Sequence, residues 1–145
     1  MRVKIQGLSQ VPEKVSLLEG TYRARVVRFG PAGHASKPCR AATFLILDPA
    51  PFAGLYVRTR LYCHPRALWK LRWFLVDFNY DPELLAAEQL DDRRVVGLEG
   101  VIRLAYWGDD GRRRLDVQGF APSERWSELT AQPPSPETVS EAVQA

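Results

Sequence analysis

One long helical pattern, over residues 66–78, interrupts a chain whose other regular segments have strand patterns, and its position most constrains the fold. Pro65 is suited to a first helical turn, and large apolar residues then recur at the spacing of one helix face, at Leu68, Leu71, Leu75 and Phe78. A shorter second helix is expected over residues 81–88, where Asp81 and Pro82 have the pattern of a helix start. A single strong apolar stripe has to be buried against another element, so we expect the first helix to pack on a sheet.

Segments with the two-residue periodicity of β-strands precede and follow this helix. The expected strands are residues 21–29, 41–47, 55–62, 101–106 and 112–120. Gly- and Pro-containing stretches separate them, including the loop 30–38 and an Asp-Gly pair that favours a tight hairpin before the fifth strand. The chain therefore has three strands, a helix and two further strands.

This order is that of the OB-fold, in which a helix between the third and fourth strands plugs one end of a barrel. We expect a mainly β protein, a five-stranded OB-fold Greek-key barrel with a helix between strands 3 and 4 and a disordered acidic C-terminal tail. Residues 1–20 would be an N-terminal arm, residues 21–122 the OB-fold domain, and residues 123–145 an acidic, Pro-containing flexible tail, disordered beyond about residue 131. A Rossmann-type fold would instead need helices after most strands.

The charge is distributed unevenly along the chain. Residues 1–122 hold 19 Lys and Arg against 13 Asp and Glu, whereas residues 123–145 hold one Arg against four Glu. The basic body is suited to attract phosphate, and the acidic tail either competes for that basic surface or recruits other proteins.

The third strand carries an aromatic and basic face. Tyr56, Arg58, Arg60 and Tyr62 alternate with apolar residues, and OB-folds bind oligonucleotides or oligosaccharides on strands two and three, between the loops that join strands one to two and four to five. Aromatic rings stack on bases and guanidinium groups pair with phosphates, largely without regard to base identity. The candidate nucleic-acid-binding residues are Arg23, Arg25, Lys37, Tyr56, Arg58, Arg60, Tyr62, Arg103, Trp107, Arg112 and Arg114.

Each of these features has a simpler interpretation. The outer face of strand three, the arginines of strand one and the basic hairpin arm are also typical of solvated strand surfaces with cross-strand pairs. Trp69 and Trp73 either pack on the adjacent sheet or form a subunit contact, in which case the protein is a homodimer. The competing function is a protein-interaction or assembly module built on the same barrel.

Catalytic and metal chemistry find no support in the sequence. His34, Cys39, Cys63 and His64 lack the ligand spacing of a zinc knuckle, and two cysteines read as packing thiols in a reducing compartment. Phosphate-loop, nucleophile-elbow and His-containing metal motifs are absent from the sequence. We expect a protein that is not an enzyme and needs no cofactor or metal, and, because no signal-peptide pattern or apolar run of about 20 residues occurs, a cytoplasmic protein.

Several short segments are similar to a known family. They are Leu18–Tyr22, Phe52–Gly54, Ala67–Leu71 and Val95–Gly97. Over about residues 17–122 the chain resembles small phage-borne, OB-fold-like single-stranded DNA-binding proteins associated with replication and recombination. The resemblance implies single-stranded DNA as partner, a bacterial host cell, and an acidic tail that contacts replication or recombination proteins, although this tail lacks the usual terminal aromatic residue. RNA stays an alternative ligand, because the 2′-hydroxyl contact that separates RNA from DNA has no sequence signature.

Overall fold

A five-stranded antiparallel sheet forms most of the structure, a computed structural model that describes residues 1–10, 16–33, 36–108 and 113–131. The strands are β1 (Gly20–Ala32), β2 (Cys39–Asp48), β3 (Tyr56–Tyr62), β4 (Glu99–Trp107) and β5 (Arg114–Pro122). The helices are α1 (Leu68–Asp77), α2 (Pro82–Ala86), α3 (Asp92–Val95) and α4 (Trp126–Ala131), with 3-10 turns at Leu8–Gln10, Ala50–Phe52 and Ser123–Arg125. The expected mainly β class, with its main helix after the third strand, is confirmed.

Backbone pairing runs in the order β3-β2-β1-β4-β5, so β1 lies in the middle of the sheet. Within the described residues, no backbone ladder joins β5 back to β3, and the sheet is open along this edge. The two edge strands meet through side chains, because Thr59 Oγ1 donates a 2.8 Å hydrogen bond to Asp116 Oδ1. We call this junction the β3–β5 seam. Closure into a complete Greek-key barrel stays a prediction.

An irregularity in β1 changes which side chains face outward. Val26 pairs with Phe44 and Arg28 with Thr43, so Val27 is an extra residue in the ladder. Such a bulge shifts the alternation of the strand by one position. As a result Phe29 is buried, whereas Arg28 is exposed on the outer face.

The core lies between the sheet and α1, which lays its apolar stripe across the buried face of the sheet. Phe44 of β2 is fully buried, with its ring centroid 5.7 Å from that of Phe74, 5.6 Å from Phe78 and 6.5 Å from Phe120. Each fully buried large apolar side chain contributes about 1.5–3 kcal/mol relative to exposure. These rings therefore hold α1 against the sheet, as the sequence analysis expected for the helix over residues 66–78.

Close approach of α1 to β4 depends on one glycine. The ring of Phe78 lies directly over Gly100, and a Cβ added there would be 2.6 Å from the nearest ring carbon. Only a residue without a side chain allows this ring to pack so near the strand.

Two carboxylates and one tyrosine organise the segment between α1 and β4. Asp81 accepts hydrogen bonds from Glu83 N and Leu84 N as the cap of α2, and Asp91 caps α3. The Tyr80 hydroxyl accepts a bond from Asp91 N and donates one to Gln89 O. The connection between the two short helices is thereby fixed to the end of α1.

Residues 123–131 were placed in the C-terminal tail by the sequence analysis, which expected disorder only beyond about residue 131. Ser123–Arg125 form a 3-10 turn and Trp126–Ala131 form α4. The acidic remainder, residues 132–145, lies outside the described residues, as do His34, Arg112 and the Asp-Gly pair of the hairpin. In the described parts of the chain, no helix combines the length and the apolar character needed to cross a membrane.

Candidate nucleic-acid interface

The outer face of β3 presents the four side chains that the sequence singled out. Tyr56, Arg58, Arg60 and Tyr62 are all exposed, and the alternate residues Thr59 and Leu61 are buried. Tyr56 is 63% exposed and Tyr62 39% exposed, so both rings offer a face to a ligand. Positions two apart on a strand are separated by roughly 7 Å, which spaces Arg58 and Arg60 for contact with different groups of one extended ligand.

Clefts border β3 on both sides. The first, of about 560 Å³, lies over β1, β2 and β3 and is lined by Arg28, Thr43 and Arg58 among others. The second, of about 330 Å³, lies along the β3–β5 seam, and we call it the seam cleft. Its lining comprises Arg58, Thr59, Arg60, Tyr62, Arg114, Leu115 and Asp116. Arg58 lines both clefts, so the two form one surface across β3.

Arg28 is a member of this surface that the sequence analysis missed. Strict alternation from Tyr22 would turn Arg28 inward, but the bulge at Val27 places it in a cross-strand row with Thr43 and Arg58. The signal available in the sequence was the adjacent apolar pair Val26 and Val27, which interrupts the alternation.

Two of the predicted arginines pair with carboxylates of the sheet. Arg23 Nε lies 2.7 Å from Asp48 Oδ2, and its Nη1 lies 3.0 Å from Glu99 Oε1. Arg25 Nη2 lies 2.9 Å from the other oxygen of Glu99. These two residues neutralise acids on the sheet surface. Among the described residues, by contrast, no carboxylate lies within 4 Å of the arginines lining the two clefts, which are Arg28, Arg58, Arg60 and Arg114.

The β4–β5 hairpin brings further aromatic and basic groups towards the seam cleft. Trp107 is 60% exposed and pairs across the hairpin with Arg114. Arg113 lies 5.3 Å from the ring centroid of Tyr106, a cation–π contact that the sequence analysis missed. A basic and aromatic rim thus extends from β5.

Two other predicted residues lie apart from the clefts. Lys37 is exposed in the turn before β2. Arg103 is exposed on β4, where it pairs with Thr21 and Gly119 rather than lining either cleft.

Polar side chains fasten the floor of the seam cleft. Asp116 Oδ1 accepts hydrogen bonds from Thr59 Oγ1 and from Val117 N at 2.8 and 2.7 Å. Lys70 of α1 donates a 2.7 Å bond to Val117 O. Burial lowers the pKa of the Lys70 ammonium group, and the negative charge of Asp116 partly opposes that change. β5 is therefore tied to both β3 and α1 beneath the cleft.

A separate apolar groove lies on α1, away from the basic clefts. Leu68 and Trp69 are 43% and 62% exposed, and with Leu85 and Leu90 they line a groove of about 510 Å³. Trp73 is half-buried, stacks on Trp69 at 6.3 Å, and contacts Phe120 edge-on, with the centroids 5.5 Å apart. The tryptophans thus divide between packing on the core and exposure to solvent.

The groups that the interface offers to a ligand are arginine guanidinium groups and exposed tyrosine rings. In the ranges that the structure covers, no three His, Cys, Asp or Glu residues form a group able to hold a metal ion. Cys39 is buried and its thiol donates to Ala32 O at 3.3 Å, while Cys63 is a half-buried free thiol. Guanidinium groups beside exposed tyrosines are suited to an anionic polymer with flat aromatic substituents.

Comparison with known proteins adds no assignment. No protein-family model matches the chain, and no curated protein is significantly similar to it. Its function is therefore inferred from the residues themselves.

Proposed function

We propose that this protein binds single-stranded DNA with low sequence specificity, through the outer face of β3 and the two clefts beside it. The observation that carries the proposal is the continuous basic surface shared through Arg58, bordered by the exposed rings of Tyr56 and Tyr62. Its lining arginines have no carboxylate within 4 Å in the described part of the chain, and this leaves their charges for phosphate.

The fold is proposed to be an OB-fold whose barrel closes at the β3–β5 seam. The strand order β3-β2-β1-β4-β5 supports this assignment, as do the position of α1 after β3 and the hydrogen bond between Thr59 and Asp116. In such a barrel the face of strands two and three is the usual oligonucleotide-binding surface.

Binding on this surface combines electrostatic attraction and stacking. Arg28, Arg58, Arg60 and Arg114 pair with phosphates along the strand, and each contact releases counterions and makes the affinity salt-dependent. Bases stack on Tyr56 and Tyr62, with roughly 1–3 kcal/mol per stacked base and little dependence on base identity. Neither kind of contact distinguishes one base sequence from another, so the affinity should depend little on the sequence of the DNA.

The proposed setting is DNA replication or recombination of a phage or mobile element in a bacterial cytoplasm. The short segments that resemble phage-borne single-stranded DNA-binding proteins support it. The acidic residues Glu137 and Glu141 would contact replication or recombination proteins, and they lie outside the described residues. Binding rather than catalysis is the proposed activity.

Fluorescence titration with oligo-dT at several salt concentrations tests the proposal. Arg58→Ala combined with Arg60→Ala should weaken binding by roughly tenfold or more and reduce the slope of log K against log salt by about 1.4, since each single-strand phosphate contact contributes about 0.7. Arg28→Ala should weaken binding as well and reduce the slope by about 0.7.

The matched control is the double variant Arg72→Ala and Arg93→Ala, which removes the same charge from exposed residues outside both clefts. It should leave the salt slope near that of the unmodified protein. Absence of salt-sensitive binding at low ionic strength would reject the proposed function. An unchanged Arg58/Arg60 double variant would reject the proposed surface.

A second candidate function is a protein-interaction module, favoured by the apolar groove beside Trp69. An exposed tryptophan in a leucine-lined groove is typical of a protein contact. Retention of one defined protein partner after nuclease treatment, its loss in Trp69→Ala, and no affinity for nucleic acid would together favour this function.

A further inference from the structure

The seam cleft contains one acidic residue among basic ones. Arg58, Arg60 and Arg114 line it together with Tyr62, and Asp116 lies in the same lining. Its volume of about 330 Å³ falls at the lower end of small-ligand sites, which typically span about 300–1,000 Å³. A phosphate-binding surface gains nothing from a carboxylate, and the seam contacts of Asp116 use only one of its two oxygens.

The two oxygens of the Asp116 carboxylate differ in their environment. Oδ1 accepts hydrogen bonds from the Thr59 hydroxyl and the Val117 amide, so both of its hydrogen bonds are made within the protein. Oδ2 accepts no hydrogen bond from any described residue and is not buried. None of the three cleft arginines lies within 4 Å of the carboxylate. Asp116 therefore presents one acceptor that no described residue pairs with inside 4 Å, while the charge of the carboxylate still acts on the more distant Lys70 ammonium group.

A carboxylate oxygen accepts hydrogen bonds and cannot donate them. Cytosine, adenine and guanine carry exocyclic amino groups that donate to such an oxygen, whereas thymine and uracil present a carbonyl oxygen at the position of the cytosine amino group. A carbonyl oxygen beside Asp116 Oδ2 would bring two acceptors together without a proton between them. The cleft is thus electrostatically suited to one class of base.

We infer that the seam cleft is a base subsite that prefers nucleobases with an exocyclic amino group, read by Asp116 Oδ2 while the ring packs on Tyr62. This inference rests on the proposed single-stranded DNA binding and adds a specificity-determining residue to it. Only the nucleotide seated in the cleft meets the carboxylate. The preference therefore applies to one position within an otherwise unspecific contact.

Titration with oligo-dC and oligo-dU of equal length tests the preference. These pyrimidines match in size and phosphate charge and differ at C4, amino in cytosine and carbonyl in uracil, and at N3, which carries a proton only in uracil. A contact of Asp116 with that N3 proton would favour oligo-dU, the opposite of the expected preference. The unmodified protein should bind oligo-dC at least about tenfold more tightly than oligo-dU, as expected for one hydrogen bond to a charged group. An oligomer of 2-pyrimidinone deoxynucleotides, which lacks the C4 substituent, should bind more weakly than oligo-dC.

Asp116→Asn isolates the contribution of the residue. The amide oxygen can still accept from Thr59 and Val117, while the amide nitrogen replaces Oδ2 and donates instead of accepting. The preference for oligo-dC should fall to less than twofold or reverse. Glu124→Gln removes one negative charge from an exposed residue outside the cleft and should keep the preference.

Failure of the inference is distinguishable from failure of the proposed function. Equal, salt-sensitive binding of oligo-dC and oligo-dU by the unmodified protein would overturn the subsite and leave DNA binding intact. An unchanged preference in Asp116→Asn would also overturn the role of this residue. Absence of binding to both oligomers would reject the proposed function and the subsite with it. The comparison of oligomers needs no variant, so it decides the question even if Asp116→Asn unfolds.

Discussion

Gly100→Ala should destabilise the fold, because it adds a methyl group where α1 approaches β4 most closely. The new Cβ would lie 2.6, 2.7 and 2.8 Å from three ring carbons of Phe78. Carbon atoms pack favourably at about 3.5–4.0 Å, so the ring would have to retreat by roughly 1 Å. Phe78 is only 1% exposed, and its centroid lies 4.8 Å from that of Phe74 and 6.1 Å from that of Phe120. Such a shift therefore disturbs the whole aromatic cluster.

The expected cost follows from overpacking in a dense core. Extra methyl groups in packed interiors typically cost about 1–3 kcal/mol, and this contact lies at the upper end because backbone and ring are both constrained. Reduced freedom of the unfolded chain offsets roughly 0.4–1 kcal/mol of that cost. The net loss of about 2 kcal/mol in the free energy of unfolding should lower the melting temperature by roughly 6–12 °C for a domain of this size.

Thermal and urea unfolding, followed by tryptophan fluorescence, measure this effect. Gly30→Ala is the matched control, since Gly30 also lies in a strand but has nothing within 4 Å of an added Cβ. That variant should be as stable as the unmodified protein or slightly more so. Phe78→Leu should restore part of the stability lost in Gly100→Ala. A Gly100→Ala melting temperature within 2 °C of the control, or no such recovery, would refute the packing argument.

Three further predictions concern polar contacts. Thr59→Val should lower the free energy of unfolding in urea by about 1–2 kcal/mol, because Asp116 loses a buried hydrogen-bond donor. An unchanged urea midpoint would contradict a stabilising role of the β3–β5 seam. Burial raises the pKa of the Asp77 carboxyl despite the hydrogen bond from Trp73 Nε1 and the charge of a nearby arginine. As the pH rises, Asp77 ionises at a lower pH in the unfolded chain, near its ordinary pKa of 3.8, than in the folded protein. The folded protein therefore loses stability as the pH rises from 3.8 through the raised pKa. Asp77→Asn removes this loss, so its melting temperature should rise relative to that of the unmodified protein between about pH 3 and 7. Arg23→Ala should lower stability by about 1 kcal/mol or less and leave oligo-dT affinity nearly unchanged, whereas a large loss of affinity would show that Arg23 contacts DNA.

Local periodicity was sufficient to predict the order of elements and the outer face of β3. The alternation of Tyr56, Arg58, Arg60 and Tyr62 with apolar residues depends only on the geometry of one strand, and the structure places all four on one exposed face. The apolar stripe of α1 likewise follows from helix geometry. Such features depend on neighbours within a few residues, which a sequence displays directly.

Features that depend on distant partners were not predictable in this way. Arg23 was assigned to a ligand-binding face, but its partners Asp48 and Glu99 are 25 and 76 positions away. Arg28 became part of the surface through the bulge at Val27, which is defined by pairing with β2. The role of Asp116 depends on a strand far along the chain, where Thr59 supplies its partner.

The helix after β5 was not predicted from composition. Residues 123–131 are polar and precede a proline-rich stretch, and the sequence analysis placed them in the tail without an element, yet they form a turn and α4. Trp126 and Leu129 of this helix are half-buried, so contact with the rest of the protein stabilises a segment that is too short to be helical alone.

The position of β1 has a consequence for how the protein opens. β2, β1 and β4 each have ladders on both sides, and β1 lies farthest from both edges of the sheet. It can leave the sheet only after its neighbours are disturbed, so its amides should be the slowest to exchange with deuterated solvent. In the part of the chain that the structure describes, the outer edges of β3 and β5 are joined by side chains, and no main-chain bond between them has to break for them to separate. Local opening of the sheet should therefore begin at the cleft where DNA is proposed to bind. Binding of DNA there should slow hydrogen exchange of the β3 and β5 amides more than that of β1.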